Sequence, residues 1–90
     1  EVFESDFDFV FFPNPTERWI NFKYSGPNLE KANLVLFDAT GNQIACFWQN
    51  ETIENGYVSQ IDLKNYPIGI YFLNLFTKEN QKTFLLSKNN

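Results

Sequence analysis

The sequence predicts an all-β fold, an antiparallel β-sandwich of about seven strands, and three observations carry that expectation. Short apolar segments alternate with polar residues at period two, the mark of strands with one buried face. Turn signals built from Pro, Gly, Asn and Asp separate those segments at fairly regular spacing. No stretch supports the 3.6-residue period of an amphipathic helix.

The first strand is announced by Phe7, Phe9 and Phe11 alternating with Asp6, Asp8 and Val10. Pro13-Asn14-Pro15 then breaks the ladder, because each ring fixes φ, removes an amide donor and drives the preceding residue towards extended backbone. Asn14 is expected to hydrogen-bond nearby backbone within that turn. Ile20, Phe22 and Tyr24 alternate with Asn21 and Lys23 in a second strand, which leaves Trp19 on the outer face, half exposed. After Ser25-Gly26-Pro27-Asn28, residues 32–38 form a nearly continuous apolar run, and such a run predicts a central strand.

Asp38 is expected to accept amide hydrogen bonds in the loop that follows, with Gly41 supplying the positive φ of a short hairpin. Residues 44–48 would return as the fourth strand, followed by a polar connection over residues 50–56 that ends in the turn dipeptide Asn55-Gly56. Residues 57–63 alternate again, with Ile61 and Leu63 inward. Then Tyr71, Leu73 and Leu75 alternate with Phe72 and Asn74 behind a proline-led turn. Residues 77–81 make a polar hairpin and residues 83–86 a last strand at a sheet edge. Gly69-Ile70-Tyr71 after that proline resembles the tyrosine corner of immunoglobulin-like sandwiches, which makes Tyr71 a structural residue.

Ninety residues make one domain, whose folding hides roughly two-thirds of the unfolded chain's surface. Eleven Phe, four Tyr and two Trp compensate for the short chain, since each ring buries roughly 150–250 Å². Glu1, Glu4, Asp6 and Asp8 supply four negative charges in the first eight residues, and the rest of the chain balances seven acids against seven bases. The bases are scattered from Arg18 to Lys88, which argues against nucleic acid as a partner. No apolar run approaches the length of about 20 residues that a membrane helix needs, so no membrane insertion is expected. Cys46 is the single cysteine and is read as a small buried hydrophobe. The start at Glu1 without Met or a signal-peptide pattern suggests a piece of something larger.

Catalysis has little to build on. The chain has no His, no Ser in a nucleophile elbow and no Gly-rich loop leading a helix. Asp38 and Asp62 are better explained by turn capping or a strand edge than by paired-carboxylate chemistry. The expectation is therefore a protein that is not an enzyme and uses no cofactor or metal. Trp19, Trp48 and Tyr57 could instead form a glycan-binding surface, or else cover the faces of a domain short of core.

The order of these punctuation marks is similar to that of the type IX secretion system C-terminal sorting domain, type A. An aromatic residue precedes Pro13-Asn14-Pro15, "LFDATG" carries Asp38 and Gly41, Pro67-Ile68-Gly69-Ile70-Tyr71 opens a strand, and "QKTFLL" brings Lys82 into the last one. The likeness runs from about Phe9 to Lys88. It implies an acidic linker or strand start in residues 1–8 and a sorting domain in residues 9–90. It further implies a C-terminal secretion signal on a larger cargo domain placed before it. The type IX translocon and shuttle components would read that signal, and a sortase-like C-terminal signal peptidase would usually remove it and join the cargo to the cell surface. The cargo would be periplasmic in transit, then surface-bound or secreted. The runner-up is a carbohydrate-binding or adhesion module of a secreted protein, and a third reading is a structural spacer.

Overall fold

A computed structural model describes residues 8–89; the expectations that fall on residues 1–7, Phe7 and the acids Glu1, Glu4 and Asp6 among them, lie outside the described residues. The strands are β1 (Asp8–Phe12), β2 (Trp19–Ser25), β3 (Leu29–Asp38), β4 (Gln43–Ile53), β5 (Val58–Asp62), β6 (Gly69–Phe76) and β7 (Gln81–Lys88). They form two antiparallel sheets, one ordered β1-β2-β5 and the other β4-β3-β6-β7. The immunoglobulin-like sandwich expected from the alternation is thus the observed fold, with β3 inside its sheet as its apolar run predicted.

Alternation sets what is buried. Phe9, Ile20, Phe22, Tyr24, Ile61 and Leu63 point inward from the smaller sheet and its margin, and Leu34, Leu36, Tyr71, Leu73, Leu75 and Leu86 meet them from the larger. Rings knit the layers: Phe9 stacks on Phe22 at 5.4 Å and meets Trp48 edge-on at 5.9 Å, while Phe11 meets Phe84 edge-on at 4.9 Å. Such pairs add about 0.5–1.5 kcal/mol each beyond the area they bury.

Two expectations are corrected here. The polar stretch after Trp48 is not a loop, because β4 continues to Ile53 and buries that residue. The alternation was hidden by irregular pairing, for the β3–β4 register slips at four places and Asn50 takes a left-handed φ of 54°. The same irregularity corrects Cys46. Leu34 pairs with Trp48 and Val35 with Cys46, so Phe47 is an extra residue in the strand. That bulge turns Phe47 and Trp48 towards the interior and leaves Cys46 exposed, its thiol donating to the Trp48 carbonyl oxygen at 3.3 Å.

Candidate functional site at one end of the sandwich

In an antiparallel sandwich the connections alternate between two ends, and the chain places its punctuation accordingly. Residues 13–18, 39–42 and 63–68 close the end where β3 finishes and β6 begins. Pro13, Asn14, Pro15, Asp38, Gly41, Pro67, Gly69 and Tyr71 therefore gather at one end. Lys82 does not join them: it pairs with Leu75 near the opposite end, with its Nζ 6.0 Å from the Phe84 ring centre.

Pro13 and Pro15 both follow cis peptide bonds. Between them the backbone leaves the smaller sheet and crosses to the outer edge of β7. There the Asn14 side chain behaves as a stand-in for a strand residue. Its Nδ2 donates to the Leu85 carbonyl at 2.9 Å, and its Oδ1 accepts from the Ser87 amide at 3.0 Å. This corrects the expectation that Asn14 would bond within its own turn; its partners are more than seventy residues away in sequence. Thr16 continues the seam as a parallel bridge to Lys88, with Thr16 N–H donating to Ser87 at 3.0 Å and Asn89 N–H donating to Thr16 at 2.7 Å. The Thr16 hydroxyl is buried and donates to the Trp19 carbonyl at 2.7 Å.

Asp38 does what its position predicted. One carboxylate oxygen accepts from Thr40 N, Thr40 Oγ1 and Asn42 N at 3.0, 2.7 and 3.0 Å, and Gly41 turns the chain with φ 93°. These bonds, the Thr40 hydroxyl foremost, hold the Asp38 carboxyl below its ordinary range. Asp62 is likewise lowered, chiefly by Arg18, whose guanidinium meets it in two parallel bonds of 2.9 Å. Tyr71 forms the expected corner: its hydroxyl donates to the Pro67 carbonyl, and burial, with the nearby Asp38 charge second, raises its pKa above the ordinary tyrosine value. The sequence reading missed Lys88. Its side chain lies inside rather than flanking an exposed strand, with Nζ donating to the Tyr66 carbonyl. It also missed a second latch at the other end, where the Tyr24 hydroxyl donates to the Pro27 carbonyl. The signal was available: an inward tyrosine three residues before a proline turn.

The aromatic alternatives are not one surface. Trp48 and Tyr57 meet edge-on at 5.5 Å and line an open cleft of about 510 Å³ between β4 and β5, with Phe47 and Ile61 beneath and Glu51 and Gln60 at its rim. Trp48 is buried against Phe9 and Phe22, and Tyr57 is half-buried. Trp19 is 42% exposed at the start of β2, under the Arg18 guanidinium at 4.9 Å, away from that cleft.

The class this geometry defines is a small immunoglobulin-like sandwich whose marker residues lock the loops of one end. A family model for the secretion system C-terminal sorting domain matches residues 10–87, and the chain belongs to that family. It carries a type IX secretion C-terminal sorting signal, which implies export towards the cell surface or beyond through the type IX machinery. A search of curated proteins found no match.

Proposed function

We propose that this chain is a non-catalytic address on a larger cargo that lies before it. The cargo crosses the periplasm and leaves through the outer-membrane translocon of a Gram-negative cell. A sortase-like peptidase then cuts near the start of the domain and attaches the cargo to the cell surface. The observation that carries this reading is the family match over nearly the whole sandwich, with the punctuation residues gathered at one end. An address of this kind needs only a fixed outer shape, and that end is held by side-chain bonds to backbone rather than by loose loops.

The test is a fusion of residues 1–90 to a periplasmic reporter in a type IX host. Surface or medium appearance is expected, and retention of a folded fusion in the periplasm would overturn the reading.

The carbohydrate-binding alternative would use the cleft beside Tyr57. Under it, Tyr57→Ala abolishes a glycan-dependent change in tryptophan fluorescence and leaves export untouched. Under the address reading no glycan alters that fluorescence at all.

A further inference from the structure

Among the described residues four strands stand at sheet margins, and three of them are poor templates for another chain. β1 and β5 have five residues each, and β1 runs into Pro13. The β4 margin belongs to a ladder whose register slips four times. Shortness, proline and irregular pairing are the ordinary ways in which natural edges avoid adding strands. β7 has none of them. Its eight residues pair with β6 without a slip, from Gly69 opposite Lys88 to Phe76 opposite Gln81. The outward side chains, Gln81, Thr83, Leu85 and Ser87, carry no charge, and Leu85 is 55% exposed.

What β7 has instead is cover. Asn14 and Thr16 occupy its outward groups from the Leu85 carbonyl to the Asn89 amide through four hydrogen bonds of 2.7–3.0 Å. Strand alternation puts the Thr83 amide and carbonyl and the Leu85 amide on the same side. With the Gln81 amide and carbonyl, which share that orientation, this is the part of the edge ahead of Asn14 for which the described residues provide no cover.

We propose that Asn14 guards the β7 edge and keeps the chain monomeric by denying that edge to a second copy. A second copy is the fitting occupant because an antiparallel β7–β7 pair about a two-fold axis sets identical edges against each other. On the outer sheet face such a pair sets Gln81, Thr83, Leu85 and Ser87 against their copies and brings no charge together, although the chain as a whole carries −4; Lys82 and Lys88 lie on the other face. The two bonds of the Asn14 amide close the second half of the strand, at the Leu85 carbonyl and the Ser87 amide, and so shorten the edge that a second copy could pair with. Thr16 alone would leave a longer run available, from Gln81 through the Leu85 carbonyl to the Ser87 amide.

The test is Asn14→Ala in the full chain, followed by sedimentation velocity across a wide concentration series and by amide exchange. The native chain is expected to sediment as a monomer. The variant should dimerise with an affinity about tenfold or more above the native chain's, the scale of one to two lost hydrogen bonds. Its Ser87 amide should lose about tenfold in protection when monomeric. Adding Leu85→Lys to Asn14→Ala should restore the monomer, since an edge lysine opposes pairing. Asn14→Asp, which can still accept from Ser87 but sets a carboxylate oxygen against the Leu85 carbonyl, should dimerise as well. A folded Asn14→Ala chain that exchanges Ser87 quickly yet sediments like the native one would overturn the proposal, as would a dimer that Leu85→Lys leaves intact. Loss of the near-ultraviolet signature in both Asn14 variants would also overturn it, because Asn14 would then be a folding requirement and not a guard.

Discussion

The two ends of the sandwich are closed by different kinds of bond. At the end that holds residues 26–28, 54–57 and 77–80, most ties are short in sequence: Tyr24 to Pro27, Tyr57 N–H to Glu54 at 3.0 Å, and Thr77 N–H to Asn80 at 2.8 Å. Remote ties at its turns are fewer among the described residues: the Gly26 amide bonds the Asn55 side chain at 3.0 Å, and the Tyr24 backbone accepts from the Gly56 amide at 2.8 Å and donates to the Tyr57 carbonyl at 2.9 Å. The opposite end joins remote parts. Asn14 and Thr16 bind β7 and Asn89, Arg18 binds Asp62, the Leu63 amide bonds the Arg18 carbonyl at 2.8 Å, and Lys88 binds Tyr66. Local ties let one turn change without its neighbours. Remote ties make that end behave as one piece, which suits a surface to be read by shape.

Removing the latching tyrosine on each side tests that contrast most severely. Tyr71→Ala and Tyr24→Ala should each cost about 3–5 kcal/mol in urea unfolding, as large aromatic truncations do. The hydroxyl-only variants Tyr71→Phe and Tyr24→Phe should cost about 1–1.5 kcal/mol each. Equal losses would show that the two latches do the same local job, so the asymmetry must lie in the seam.

Double substitutions probe the seam itself. Asn14→Ala removes the bond to the Ser87 amide, and Thr16→Val removes the hydroxyl bond to the Trp19 carbonyl that holds the segment donating to the Ser87 carbonyl, so their effects should depart from additivity by about 0.5 kcal/mol or more, measured at concentrations where the chain is monomeric. Tyr24→Phe with Thr77→Ala at the other end should add to within about 0.3–0.5 kcal/mol. Gly41→Ala and Gly56→Ala, one at each end, should both cost about 1 kcal/mol from backbone alone. Both glycines hold positive φ, 93° and 88°, with open space where a Cβ would go.

The smallest effects come from titration. Asp38 and Asp62 sit below their unfolded values, so the unfolded chain binds more protons as pH falls. Their contribution is full above about pH 4 and is lost as pH drops through the lowered values. Amide exchange at Thr40 and Lys64, which donate to these carboxylates, should quicken in that range before the far end responds. At alkaline pH the sign reverses: Tyr24 and Tyr71 are raised by burial, so their contribution holds below about pH 10 and is lost above it. Both ends should therefore loosen together in a base titration followed by near-ultraviolet dichroism.

Much of this architecture was legible because alternation speaks directly about faces. Ile20, Phe22 and Tyr24, or Tyr71, Leu73 and Leu75, could point only one way in a strand. Asp38 and Gly41 were legible because a hairpin loop is local chemistry. Cys46 and the far half of β4 were not, since one extra residue at Phe47 inverts the faces around it without leaving a mark in the pattern. Nor was the reach of Asn14, because a side chain that bonds a strand more than seventy residues on gives no periodic signal. Lys88 failed for a similar reason: its apolar stem lies inside while its ammonium finds a carbonyl.

The parallel run of Thr16 beside Lys88 also has a mechanical meaning. Asp8 and Asn89 lie at opposite ends of the sandwich, so tension applied between the chain ahead of β1 and the chain after β7 would draw these neighbours past each other in shear. The bonds from Asn14 and Thr16 would then carry the load together instead of opening one after another. Force along that line would meet several bonds at once, whereas force across the β7 edge would meet them singly.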